Sequence, residues 1–277
     1  MEDESNISPK FKAIIFFVIV AILCVVSYFI YENYFKKVRS ISTTSSTVTQ
    51  AMNLVTSFNA LKNVNEIAES FYTDGLVTSD LLSNNTKEWI VYSHLKDKLT
   101  SVNYNCNLLK DYSIKTYNTC TTLGIDYTFV NKAQKLSYTD FASEYSKVFG
   151  SNATITPDNF SSTGVAAYYS KNNNDFLITT LNGVGGTDET QIVSKLKDAT
   201  IYEDHLEVEE YYANCTKNTG KSGIECHSGT KVVMSDSTLN SASTLDASSF
   251  ATLYKFTFKK DTNGNYYWYS SEAIKNN

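Results

Sequence analysis

Histidine, proline and arginine are scarce in this chain, and their scarcity excludes several classes of function. The 277 residues include three histidines, two prolines and a single arginine. His94, His205 and His227 each lack a second histidine at the spacing of a metal site. Nucleic-acid binding needs clustered Lys and Arg, and none occur away from the start of this chain of net charge -5. The sequence therefore predicts neither a zinc hydrolase nor a nucleic-acid-binding protein.

Common catalytic signatures are also missing. A nucleophilic serine in a G-x-S-x-G motif is absent, and Ser194-x-x-Lys197 stands without the companion motifs of that serine family. The Gly-rich stretch at residues 182–190 lacks the G-K-[ST] ending of a phosphate-binding loop, which predicts a plain connection. We therefore expect no catalytic residue, no cofactor and no bound metal ion.

Acidic residues are densest at residues 203–210. Paired carboxylates are what a glycosidase uses as acid and nucleophile. In a strand, however, Glu207 and Glu209 point to the face opposite Leu206 and Val208. This alternation favours a charged, solvent-facing surface over a catalytic pair.

One long apolar run lies near the start, at residues 13–31. It holds nineteen residues without a charge. A helix of that length, at roughly 1.5 Å per residue, comes close to the ~30 Å of a hydrocarbon layer. A signal peptide has a shorter apolar core and a small-residue cleavage site, which is not found here. We therefore expect a single transmembrane helix, with the lipid bilayer as a partner of residues 13–31.

The four cysteines beyond the apolar run fall as two close pairs, and four cysteines permit three connectivities. We favour Cys106 with Cys120 and Cys215 with Cys226, because each pair brackets a short polar loop. Free thiols and a zinc site are the alternatives, but the spacings are too long for zinc knuckles. Disulfides persist in oxidising compartments. We therefore expect a cytoplasmic tail at residues 1–12 and an extracytoplasmic remainder anchored in the cell membrane.

The remainder divides by pattern into three parts. Residues 32–50 form a Ser/Thr-rich linker, residues 51–135 have a mainly helical period, and residues 136–277 read as a helix followed by an antiparallel sheet. The helix is predicted over residues 137–150, where an apolar stripe ends at Gly150. The expected fold class is α+β, with the transmembrane helix, a short helical region, and one helix packed on a curved antiparallel sheet.

The stretch DTNGNYYWYSSE, residues 261–272, combines a calcium-like spacing with an aromatic run that could stack on a sugar or a base. Its glycine is fourth, whereas a calcium loop of the EF-hand type needs glycine at the sixth position. Asn263-Gly264 is a strong hairpin signal. We therefore interpret the tyrosine run as a half-buried closing strand.

The register of this hairpin has two solutions. A two-residue turn would place Phe258 opposite Tyr269 and Lys255 opposite Glu272. A three-residue turn with a left-handed glycine would instead place Trp268 opposite Phe258. The sequence leaves both open.

The element order over residues 137–273 resembles the helix-on-sheet folds of cystatins and of nuclear transport factor 2. The whole layout resembles uncharacterised single-pass membrane-anchored proteins of low-GC Gram-positive bacteria. These resemblances imply no functional residue, since such folds serve many functions. We expect a non-enzymatic binding or envelope-assembly module that contacts an envelope protein or polymer. The alternative is a cell-envelope enzyme acting on glycan or peptide through carboxylates.

Overall fold

The structure, a computed structural model, describes residues 9–31, 38–56, 70–103, 105–112, 130–162, 165–181, 189–217 and 223–274. The helices are α1 (Pro9–Ile30), α2 (Ser46–Thr56), α3 (Asn84–His94), α4 (Cys106–Asp111) and α5 (Tyr138–Phe149). The strands are β1 (Arg39–Ser40), β2 (Val77–Thr78), β3 (Thr100–Ser101), β4 (Val130–Ser137), β5 (Phe160–Ser162), β6 (Val165–Ser170), β7 (Asp175–Leu181), β8 (Glu189–Ile201), β9 (His205–Lys217), β10 (Ile224–Ser228), β11 (Lys231–Asp236), β12 (Thr252–Lys260) and β13 (Tyr266–Ala273).

The strands form two antiparallel sheets. The larger sheet has the order β1-β8-β9-β12-β13-β2, and the long strand β9 also pairs with β10, which pairs with β11. The smaller sheet has the order β3-β4-β7-β6-β5. Helices α2, α3 and α5 contribute to the apolar core that both sheets share.

The expected fold class is wrong in two respects. The chain is mostly β, with two sheets in place of one curved sheet, although its content remains mixed α and β. The additional strands β1, β2 and β3 have two residues each, too few to produce an alternating pattern that a sequence reading detects. The predicted transmembrane helix at residues 13–31 is not supported: among the residues described, no helix meets the length and apolarity required of a membrane span.

Helix α5 confirms the helix predicted at residues 137–150. The Ser137 side chain accepts hydrogen bonds from the first backbone N–H groups, and Gly150 ends the helix at φ +101°. Near its start, Phe141 packs on Phe176 of the smaller sheet, with ring centroids 4.8 Å apart. At its end, Phe149 lies against Trp268 of the larger sheet at 6.1 Å. The helix therefore connects the two sheets through its apolar stripe.

Antiparallel strands follow the helix, as expected. β6 and β7 flank the Asn-rich turn, in which Asn174 adopts φ +53°. β8 and β9 pair along their length on either side of the connection at residues 202–204. The predicted connection at residues 182–190 lies mostly outside the described residues, which resume with β8 at 189.

The terminal hairpin combines both expected registers. Lys255 lies opposite Glu272, as a two-residue turn predicts, while Phe258 lies opposite Trp268, as a three-residue turn predicts. The register shifts beside Thr257, and this bulge reconciles the two patterns. At the tip Gly264 has φ +83°, the left-handed conformation that a three-residue turn requires.

The linker, the mainly helical part and the helix-and-sheet part predicted from the sequence pack together in the structure. Residues 39–40 of the Ser/Thr-rich segment pair with β8, and α2 begins at Ser46 within the same segment. Buried side chains from residues 48–95 and 136–268 belong to one core cluster. The division at residue 135 therefore does not separate two cores.

One disulfide is present in the described part of the chain, between Cys215 and Cys226. The two residues lie opposite each other on β9 and β10 and are buried. The expected pair of Cys106 with Cys120 lies outside the described residues, because Cys120 is not among them.

Removing the Cys215–Cys226 disulfide is expected to destabilise the fold. The bond joins residues that are eleven positions apart, and without it the unfolded chain gains conformational entropy. The loop-entropy relation gives a decrease of about 3 kcal/mol in the free energy of unfolding. The double variant Cys215→Ala, Cys226→Ala should therefore unfold at clearly lower urea concentration than the unchanged protein. Cys24→Ala, which removes an exposed thiol, is the control. An unchanged midpoint for the double variant would contradict the expectation.

Candidate functional site

A cleft of about 640 Å³ opens between α2, the C-terminal end of α5 and the loop that joins β12 to β13. Helix α2 contributes Thr47 and Gln50, with Ala51 and Leu54 beneath them. The arrangement follows from packing, because α2 and α5 both contact β13. The tip of the aromatic hairpin therefore forms one wall of a cleft.

The hairpin loop is held in shape by Asp261. Its Oδ1 atom accepts hydrogen bonds from the backbone N–H groups of Asn263 and Asn265, at 2.9 and 2.8 Å. The Gly264 N–H donates to the Asp261 carbonyl at 3.0 Å. In these contacts the carboxylate orders the turn. The calcium-like spacing of residues 261–265 therefore reflects the hairpin turn and not a calcium site. The side-chain amides of Asn263 and Asn265 stand exposed beside the cleft.

The α5 wall presents Ser146, Lys147 and Ser151. Lys147 Nζ lies 2.8 Å from Glu144 Oε2, and Glu144 Oε1 lies 2.9 Å from His94 Nδ1. The hydrogen bond from His94, followed by that from Lys147, lowers the pKa of Glu144 to about 2. The lysine at the cleft is therefore paired with an ionised carboxylate rather than standing as an isolated positive charge.

Tyr267 lies against the end of α5. A Cβ atom added at Gly150 would sit 3.2 Å from the Tyr267 Cδ2 and Cε2 atoms and 3.3 Å from Cγ. Near-equal distances to three consecutive ring atoms mean that Gly150 lies over the face of the ring rather than its edge. The glycine is required twice here, for its positive φ and for this close approach.

The chemistry of the cleft is that of neutral polar groups. Hydroxyls and amides dominate the polar lining, and among the described lining residues the carboxylates are represented by Asp261 alone. Glycoside hydrolysis by two carboxylates needs a pair facing one cleft at roughly 5 to 9.5 Å. The lining supports binding better than that reaction.

Glu210 departs from the expected charged outer face. Glu207 and Glu209 are half-buried on that face, where Lys197 and Lys255 pair with them. Glu210 follows the opposite alternation, together with Leu206 and Val208, and is only 3% exposed. The same period of two that predicts the exposure of Glu207 and Glu209 could have shown that Glu210 faces the core.

The buried Glu210 carboxyl receives a hydrogen bond from the Tyr72 hydroxyl at 2.7 Å. Burial raises the pKa of Glu210 to about 7, against smaller lowering effects of the hydrogen bonds from Tyr72 and Ser194. Burial and the Glu210 charge raise the pKa of Tyr72 well above its ordinary value. The Tyr72 ring stacks on Tyr212, with centroids 3.5 Å apart.

Further hydrogen bonds dock the segment around Tyr72 on the larger sheet. Ser271 Oγ donates to the Phe71 carbonyl at 2.6 Å, and the Tyr254 hydroxyl donates to the Tyr72 carbonyl at 3.3 Å. The Glu210 carboxyl thus belongs to a set of hydrogen bonds that holds the segment around Phe71 and Tyr72 against the larger sheet. This structural role accounts for its burial without a catalytic task.

The histidines occupy three separate places. His94 contacts Glu144, His205 contacts Asp204 at 2.7 Å, and His227 contacts Glu225 at 2.7 Å. In the described ranges no group of three or more His, Cys, Asp or Glu residues could hold a metal ion.

The cleft itself was not predicted from the sequence. Its walls come from residues 47–54, 146–151 and 261–267, which are far apart in the chain. The available signal was the Asn- and Tyr-rich hairpin tip, but a hairpin alone does not reveal which helices pack beside it.

Comparison of the chain with protein families, with curated proteins and with solved structures returns no match. The resemblance of residues 137–273 to cystatin-like and transport-factor folds therefore stays a prediction.

The stability of the protein is expected to fall as the pH rises from about 4.5 to about 7, because the folded state keeps Glu210 protonated where the unfolded chain has released the proton. The raised pKa of Glu210 contributes at most about 3 kcal/mol to the free energy of unfolding. This contribution is present in full below pH 4.5 and is lost above pH 7. Glu88, whose pKa burial also raises to about 7, acts in the same direction.

Urea unfolding at pH 5 and pH 8 measures this effect. Glu210→Gln should reduce the loss of stability between the two pH values, and Glu88→Gln should reduce the remainder. The exposed-side variant Glu209→Gln is the control on the same strand. If Glu210→Gln retains the full pH dependence of the unchanged protein, the assignment to the buried carboxyl is wrong.

Proposed function

We propose that this chain is a non-enzymatic binding or envelope-assembly module that acts outside the cytoplasm and holds an envelope polymer in the cleft between α2, α5 and the terminal hairpin. The cleft is the observation that carries the proposal. Its volume of about 640 Å³ falls in the range typical of ligand sites. Its walls come from two helices and a loop that hydrogen bonds to Asp261 hold in place, so the site has a defined shape.

The extracytoplasmic location rests on the disulfide. Cys215 and Cys226 are joined across neighbouring strands, and such bonds persist in oxidising compartments. A polymer of the cell envelope is the kind of partner that a protein in this compartment encounters. Residues of the cleft offer many neutral hydrogen-bonding groups to such a polymer.

Binding, rather than hydrolysis, is the activity that the lining favours. Asp261 uses one carboxylate oxygen to order the hairpin loop, so its position serves the shape of the wall. Glu210, the carboxyl with a pKa of about 7, does not line the cleft. A two-carboxylate mechanism therefore has no support from the described residues of this site.

A blocking substitution in the cleft tests the proposal. Ser146 lines the cleft, whereas Ser143, one turn earlier on α5, is exposed outside it. Ser146→Trp should reduce cosedimentation of the full chain with insoluble peptidoglycan by about tenfold, because the indole fills space that the polymer would occupy. Ser143→Trp places the same side chain on the same helix and should leave retention unchanged.

Thermal unfolding of both variants shows whether the fold is preserved. Equal retention of the unchanged protein and Ser146→Trp would contradict the proposal, as would the absence of retention of the unchanged protein.

A further inference from the structure

We propose that the ligand of this cleft is a neutral carbohydrate whose apolar ring face stacks on Tyr267. This inference rests on the proposed function and names its ligand class. The sequence favours a closing strand over a stacking surface for the aromatic run at residues 266–269, and the structure places two of its tyrosines, Tyr266 and Tyr267, in the cleft wall. The strand thus closes the sheet and supplies a ligand surface at its tip.

The Tyr267 ring is supported on one side within the protein. Gly150 lies so close to one face of the ring that an added Cβ atom would stand 3.2–3.3 Å from three ring atoms, and the ring is half-buried while it lines the cleft. A ring supported on one side loses little freedom when a ligand covers the other side. A flat, apolar and preorganised surface of this kind fits the C–H face of a sugar ring.

The polar lining around the ring consists mainly of amides and hydroxyls. Gln50, Asn263 and Asn265 carry exposed amides that make no side-chain hydrogen bonds within the described part of the chain. Each amide offers both a donor and an acceptor, as do the hydroxyls of Ser146 and Ser151. Sugar hydroxyls likewise donate and accept, so they can satisfy both sides of such groups.

The charges at the cleft also favour a neutral ligand. Lys147 lies 2.8 Å from Glu144, whose pKa is held at about 2, so the pair stays ionised and neutral overall. One carboxylate oxygen of Asp261 accepts hydrogen bonds from two backbone N–H groups. An anionic polymer would need unpaired positive groups in the cleft, and Lys147 is the one cation among its described lining residues. A neutral carbohydrate needs none.

Isothermal titration of the full chain with three soluble probes tests this inference. The probes are chitotetraose, cellotetraose and the tetrapeptide Ala-Glu-Lys-Ala. At least one of the two oligosaccharides should bind, and the peptide should not. Tyr267→Ala should weaken oligosaccharide binding by about tenfold, the size of effect expected for a central aromatic contact. Tyr267→Phe keeps the ring and should bind within about twofold of the unchanged protein.

The matched control is Tyr269→Ala, two positions along the same strand. Tyr269 is 41% exposed, lies under Lys259 Nζ at 3.4 Å and does not line the cleft. Its removal should leave oligosaccharide affinity unchanged. Circular dichroism and thermal unfolding of all three variants identify any loss that comes from misfolding.

The outcomes separate this inference from the proposed function. Binding of the peptide alone would overturn the carbohydrate assignment and leave a polymer-binding cleft intact. Oligosaccharide binding that survives Tyr267→Ala would overturn the stacking role. Failure of all probes together with no retention on peptidoglycan would overturn both proposals.

Discussion

The burial of Trp268 is the interaction on which the rest of the structure depends. Its ring lies edge-on to Phe71 at 4.8 Å and to Phe149 at 6.1 Å, opposite Phe258 on the paired strand. Burying an indole stabilises by about 4–6 kcal/mol on the basis of area. Its Nε1 atom finds no hydrogen-bond partner among the described residues, at a cost of about 1–3 kcal/mol. Apolar packing therefore outweighs the polar penalty.

The cleft is a consequence of this packing. Because Trp268 holds the hairpin against the end of α5, the preceding residue, Tyr267, is brought onto Gly150, and the loop at 261–265 stands beside α2. The same tryptophan contacts Phe71, whose neighbour Tyr72 reaches the buried Glu210. The core thus positions both a polar network inside the protein and a polar cleft at its surface.

The sequence predicts elements with strong local signals and misses those that depend on long-range packing. Helix α5 follows from the Ser137 cap, its apolar stripe and Gly150, and the strands of the terminal half follow from alternation and Asn-rich turns. The second sheet could not be predicted, because its edge strand β3 has only two residues and β4 begins inside the segment whose period is mainly helical. Glu210 was predictable from alternation alone, whereas the cleft required knowledge of which helices pack beside β13.

The central claim is that the cleft beside the terminal hairpin binds a carbohydrate. Titration of ¹⁵N-labelled protein with chitotetraose and, separately, with cellotetraose, followed by backbone amide shifts, tests it most directly. We expect the largest shifts within residues 146–151 and 261–267, at the end of α5 and the hairpin tip. Shifts confined to the outer face of the larger sheet around Glu207 and Glu209, or no shifts at all, would contradict it.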